Sequence, residues 1–257
     1  MMDWIQGERF MSLADNVTIF YRHTHYVNTF FTLLPTRKPF ILISHNSDGC
    51  VMNGEGRFED ANAELIPDNL VHWFGQNINV INDRISSLPI GIENEKWLAA
   101  DKKKVKILEK VAQEKEVKNL LYVNHNIVTN PVERAKPYEL FGGKSWATCV
   151  NGKHGFRFAE YVDNIHNHNF IICPEGNGID THRTWEALYM GAIPIEKRNI
   201  NNQFYTDLPI CFVDDWEDIT EDFLIQEFIR IKTRSWNMEK LTFEYWKNKI
   251  LCAAQII

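Results

Sequence analysis

The stretch from Phe170 to Ile195 constrains the fold more than any other part of the chain. It reads Phe170-Ile171-Ile172-Cys173-Pro174-Glu175-Gly176-Asn177-Gly178-Ile179-Asp180-Thr181-His182-Arg183-Thr184-Trp185-Glu186-Ala187-Leu188-Tyr189-Met190-Gly191-Ala192-Ile193-Pro194-Ile195. A continuous apolar run, a glycine-rich loop, a helical pattern, a glycine stop and a second apolar run predict a buried strand, turn, helix and buried strand. Such a unit belongs to a parallel sheet covered on both faces. Asp180 is placed to cap a helix from Thr181, with Gly191 closing it. The free N–H groups and positive dipole at a helix start attract anions, and Arg183, one turn in, adds a charge with bidentate geometry. Glu186, three residues on, suits a ribose diol better than a phosphate. On local physics alone, a capped helix with a surface Arg183–Glu186 pair remains an equal alternative.

The rest of the chain follows the same alternation. Strands are predicted at Val17–Tyr21, Phe40–Ser44, Leu70–Phe74, Asn119–Asn124, Asn169–Pro174, Ala192–Ile195 and Ile210–Val213, with helices at Tyr26–Leu34, Trp97–Lys118, Phe156–His166 and Thr181–Met190 and a helical region from Thr220. The long charged helix should present Trp97, Leu98, Val105, Leu108 and Val111 inward, leaving Lys102-Lys103-Lys104 as a solvated face. A seam at Leu88-Pro89-Ile90-Gly91-Ile92-Glu93 divides the chain into residues 1–94 and 95–257. The fold class expected is therefore α/β: two facing Rossmann-like domains around a cleft, the N-terminal one small, with the last helix free to pack back on it. Ligands of open parallel sheets bind outside the strands' carboxyl ends.

Composition excludes several classes of function. Of 257 residues 44% are hydrophobic and 24% charged, as in ordinary globular proteins. The net charge of −6 argues against a nucleic-acid partner. Five cysteines, all far apart, suit neither a disulfide framework nor a zinc ribbon. The absence of a leader-like start and of a long apolar run predicts no transmembrane segment and a cytoplasmic location, the host cytoplasm for a viral chain. No Asp-x-Asp occurs, so neither a metal nor another cofactor is expected. Gly142-Gly143-Lys144-Ser145 has the wrong glycine spacing for a phosphate loop and reads as a turn.

The run from Cys173 to Ile195 closely resembles the donor-binding segment of exostosin-like glycosyltransferases (glycosyltransferase family 47) and is more distantly similar to fucosyltransferases that use GDP-fucose. The likeness is specific from Tyr161 to Trp216, including Tyr205-Thr206-Asp207-Leu208-Pro209-Ile210 and Val213-Asp214-Asp215-Trp216, and the seam and Tyr122-Val123-Asn124 share it. It implies a GT-B architecture, a nucleotide-diphosphate sugar as co-substrate held by the second domain, and a glycan acceptor held by the first. Carried over by position, Glu175 and Gly176 line the donor pocket, Arg183 contacts the diphosphate and Glu186 the ribose. Asp180, Thr181 and His182 shape the loop-to-helix junction, and Asn124, Asn126, Thr129 and Arg134 supply further diphosphate contacts.

The resemblance implies inversion, which requires a base on the acceptor hydroxyl. Asp48, and next His45, are the candidates, in the loop after the Phe40–Ser44 strand; a simple turn made by the Asn, Ser and Asp side chains is the alternative. Glu55 and Arg57 are further acceptor-side candidates. The function expected is thus inverting, metal-independent transfer from a UDP-sugar such as UDP-xylose, UDP-galactose or UDP-glucuronate to a glycan hydroxyl. A GDP-fucose-dependent fucosyltransferase and a non-catalytic sugar- or nucleotide-binding module are the alternatives. The oligomeric state is not legible.

Overall fold

A computed structural model describes residues 2–54, 60–96, 100–150 and 158–257. Glu55, Arg57, Trp97, Leu98 and Phe156 lie outside the described residues.

The molecule is α/β, with eight α-helices among the described residues and parallel strand pairing in every sheet. The first sheet runs β1 (Ile19–His23), β2 (Phe40–His45), β5 (Leu70–Gly75), β6 (Ile85–Ser87) in spatial order. A two-stranded parallel pair, β3 (Val51–Met52) and β4 (Ala61–Asn62), sits between β2 and β5 in the chain. The second sheet has the order β11 (Cys211–Val213), β10 (Ile193–Lys197), β9 (His168–Ile172), β7 (Asn119–Val123), β8 (Ala147–Cys149). The chain starts at β7, steps outward to β8 and returns to β9 on the other side, so strand order reverses between β7 and β9. That reversal opens a crevice at the carboxyl ends of the two strands.

The period-2 alternation of side chains divides the interior into three. On β2, Phe40 and Leu42 face an outer cluster with Phe30, Phe31 and Trp73, covered by α2 (Val27–Thr32). On β7, Leu121 and Val123 face a second outer cluster with Phe141 of α4 (Pro131–Phe141) and Leu224 and Ile231 of α7 (Glu221–Thr233). The alternate residues, Ile41 and Ile43 of the first sheet and Tyr122 and Ile171 of the second, belong to one shared cluster. Phe10 of α1 (Gly7–Met11), Ile107 of α3 (Ala100–Val111), Val162 and Ile165 of α5 (Phe158–His166), Trp185 and Leu188 of α6 (His182–Tyr189), and Trp246 and Ile250 of α8 (Phe243–Ala254) fill it. The C-terminal helix α8 packs on β2 and β5, and Phe243 N–H donates to Asp3 O at 3.1 Å.

The expected elements form, with several corrections. The first strand starts two residues late because Asp15 Oδ1 accepts from the Val17, Thr18 and Ile19 amides and holds a turn there. The inner face of α3 is that of Ile107, while Val105 and Leu108 are exposed, because the helix packs against α5 through Ile107. Lys103 and Lys104 are not merely solvated: they pair with Glu93 at the end of the seam and with Glu95 just beyond it. Strands β3, β4, β6 and β8 had no counterpart in the sequence reading, being only two or three residues long. Gly142–Gly143 forms a turn, as expected. No described helix is long and apolar enough to cross a membrane.

Candidate functional site

The glycine-rich loop after β9 lies between the two sheets, and both sheets send loops to it. A cavity of about 870 Å³ is lined by Glu175, Gly176, Asn177 and Gly178 of this loop together with Asp48, Asp60, Asn79, Asn130 and Asn199. A smaller one, about 340 Å³, is lined by Asn46, Asp48, Gln76, Asn94, Lys96 and His182 among others. Asp48 belongs to both walls. Volumes of several hundred Å³ are the usual scale of small-molecule sites.

Helix α6 begins at His182 with Thr181 as its N-cap, and no side chain caps it. Asp180, expected there, is turned to the seam instead. Its Oδ2 accepts from Ile90 N–H at 2.7 Å, and Trp185 Nε1 donates to both oxygens at 2.9 and 3.1 Å. Burial pushes its carboxyl up to about 7. The seam is 90 residues away in the chain, so tertiary closure outcompetes the local cap. Thr181 Oγ1 is buried without a hydrogen-bond partner among the described residues.

Arg183 is half-buried, and its Nη1 is enclosed with no hydrogen-bond partner among the described residues. Its guanidinium lies 5.1 Å from the centroid of the Tyr161 ring. Burial works against the charge; the neighbouring Tyr161, Cys173 and Glu186 outweigh it, so the pKa is held above its ordinary value. Glu186 is 4% exposed and accepts from Tyr161 O–H. It therefore shares Arg183's surroundings, and neither side chain lines either cavity; the carboxylate that the glycine-rich loop gives to the larger cavity wall is Glu175. Glu175 Oε1 accepts from Asn199 Nδ2 at 3.0 Å, and burial raises its pKa.

Arg134 of α4, expected to contact the diphosphate, spends its donors on main chain: Nε to Glu175 O at 2.8 Å, Nη1 to Asn126 O at 3.0 Å and Nη2 to Pro174 O at 3.4 Å. It clamps the two loops that flank the strand-order reversal. Burial and the nearby Arg183 lower its pKa to about 10. Asn124 is buried and donates to Tyr122 Oη at 2.7 Å. Asn126 caps a short 3-10 turn by accepting from Val128 N–H, and Thr129 Oγ1 donates back to Asn126 O. These three shape the loop after β7, and only Asn126 is exposed.

The two base candidates separate. His45 is 1% exposed, with Nε2 donating to Pro89 O at 3.0 Å and Nδ1 accepting from Asn46 N–H at 2.8 Å. Burial depresses its pKa to about 4, and it lines neither cavity; it is a neutral structural group. Asp48 is exposed to the cleft, and its Oδ2 accepts from Asn177 Nδ2 across it at 3.2 Å.

The sequence reading missed Asn77. It is fully buried at φ 58°, with Nδ2 3.3, 3.3 and 3.4 Å from the carbonyls of Ser47, Asp48 and Gly49, and Oδ1 accepting from Asp180 N–H at 2.9 Å. It joins the loops of the two sheets. The signal was present: Gln76-Asn77 follows β5 directly, and carboxyl-end loops are where open parallel sheets place their sites. Among the described residues no cluster of metal-ligating side chains forms. Compared with known protein families and with curated proteins, the chain matches none.

Proposed function

We propose that this chain is a glycosyltransferase of GT-B type that moves a sugar from a nucleotide-diphosphate donor to a hydroxyl of a glycan acceptor, with inversion and with protein groups taking the role a metal plays elsewhere. The observation that carries the reading is Arg183: a guanidinium in the first turn of α6, behind a glycine-rich loop, whose enclosed Nη1 has no partner among the described residues. An unpaired buried donor of this kind costs free energy unless an acceptor arrives, and a diphosphate oxygen is such an acceptor. As the bond to the leaving group breaks, charge gathers on the diphosphate, where Arg183 and the helix-start amides stabilise it. The likeness of residues 161–216 to exostosin-like enzymes supports the same assignment.

The larger cavity bears on the sugar. Asp48, Asp60 and Glu175 line it, with no lysine or arginine among its described lining residues. Carboxylates accept hydrogen bonds from sugar hydroxyls and repel a uronate. This favours a neutral sugar, as in UDP-xylose, UDP-galactose or GDP-fucose, over UDP-glucuronate.

Calorimetric titration with UDP and GDP, followed by product analysis with the matching sugar nucleotides, tests the reading. One nucleotide is expected to bind, and Arg183→Ala to weaken it about ten- to a hundred-fold, the loss of one charge-assisted contact of about 1.5–3 kcal/mol. Arg183→Ala should retain its fold and lose transfer. Binding of neither nucleotide, or unchanged affinity in the alanine variant, refutes it.

A further inference from the structure

We infer that the smaller cavity is the acceptor subsite and that His182, not Asp48 or His45, is the base that deprotonates the acceptor hydroxyl. The inference rests on the transfer reaction proposed above and assigns its second half. His182 Nδ1 lies 2.7 Å from Gly91 O. A carbonyl oxygen only accepts, so Nδ1 carries the proton and, in the neutral ring, Nε2 carries the lone pair. No partner for Nε2 occurs among the described residues, and the side chain lines the smaller cavity. The contact to Gly91, 91 residues away in the chain, fixes the tautomer and the ring's direction in the manner of an orienting carbonyl behind a catalytic imidazole.

The other walls suit a hydroxylated ligand. Asn46, Gln76, Asn94 and Lys96 line it with polar groups, Asn94 Nδ2 donating to Asn46 Oδ1 at 2.8 Å, and Asp48 forms the boundary with the larger cavity. Asp48 Oδ2 accepts from Asn177 Nδ2 at 3.2 Å and so links the glycine-rich loop across the cleft, whereas His182 Nε2 has no such contact among the described residues. Successive helix residues point about 100° apart at 3.6 residues per turn. His182 therefore faces the smaller cavity while Arg183 faces Tyr161, so one helix turn carries both the base and the group we propose receives the leaving charge.

The step balances without a further reactant. The acceptor O–H gives its proton to Nε2, and the oxygen lone pair forms the new bond to the anomeric carbon. The bond from that carbon to the diphosphate oxygen breaks, its electron pair leaves with the nucleoside diphosphate, and the imidazolium then returns its proton to solvent.

His182→Asn tests this, since the Asn Nδ2 can keep the donation to Gly91 O while the basic nitrogen is lost. The variant should bind UDP or GDP as the wild type does and melt at the same temperature, while kcat falls roughly 10²- to 10⁴-fold. His182→Ala should regain part of its kcat with added imidazole, which a merely structural residue would not. Wild-type kcat in His182→Asn, or a loss of nucleotide affinity and stability equal to the loss of rate, overturns the assignment and leaves the donor reading standing. A wild-type protein that turns over no sugar nucleotide, with acceptor or water, overturns both.

Discussion

His45 is held neutral between Pro89 O and the Asn46 amide, and its ring packs 5.3 Å from Phe10. Burial depresses its pKa from 6.5 to about 4, so unfolding at acid pH lets it take up a proton that the native state refuses. Its contribution to stability is complete above 6.5 and is lost as pH falls toward about 4, on the order of 3 kcal/mol in all. Asp180 and Glu196, both raised to about 7 by burial, act in the opposite sense: their contribution is complete below the ordinary carboxylate values and declines as pH rises toward 7. The histidine is therefore isolated by comparison. His45→Gln, which keeps a donor for Pro89 O, should be the less stable protein at pH 7, and the gap should narrow as pH falls to 4.5. Melting curves across that range check it, and parallel profiles would refute the neutral-histidine account. In the sequence, His45 was legible as a titratable group at a strand's end, but its direction was not. Residue 45 of a strand that alternates faces can turn toward cleft or core, and a carbonyl 44 residues away settled which.

At the scale of elements, the strand–loop–helix–strand unit from Phe170 to Ile195 forms as the hydrophobic pattern predicts, with boundaries moved by one or two residues. The loop within it is shaped by two close approaches. A Cβ on Gly176 would meet Arg134 Nη2 at 2.6 Å, and one on Gly178 would meet Asn77 Nδ2 at 2.6 Å and Asp48 O at 3.2 Å. Arg134 Nη2 is the tip of a flexible side chain and makes only the long 3.4 Å contact to Pro174 O, so it can yield while Nε and Nη1 keep their bonds. Asn77 is buried and tied to Ser47, Asp48, Gly49 and Asp180, so it cannot. Gly178→Ala should cost about 1–3 kcal/mol, and Gly176→Ala less than about 1 kcal/mol. Urea unfolding of the two variants decides it, the reverse order being the contrary result. A glycine in a loop announces a turn from sequence alone, but which glycine a distant asparagine presses against follows only once the two sheets meet.

Across the whole molecule, the shared cluster takes one face of each sheet and should make their unfolding a single event. Trp246 is its anchor from α8: 1% exposed, with Nε1 donating to Lys240 O at 2.9 Å and its ring edge-on to Tyr205. Trp246→Ala should cost about 3–5 kcal/mol and lower one cooperative transition seen alike by circular dichroism and fluorescence. Two separated transitions in the wild-type protein would contradict the shared core. What the amino-acid order determined unaided was the backbone path: apolar runs of strand length, helical spacings between them, and the glycine-rich turn that leads to Arg183. Only the tertiary structure decided that Asp180 serves the seam rather than the helix, that Glu186 retires behind Tyr161, that His182 is aimed by Gly91, and that Asn77 joins the two halves. The physical reason is range. Strand and helix formation depend on neighbours a few residues away, whereas a polar side chain goes wherever its buried partner lies, and these partners are between 25 and 103 residues distant.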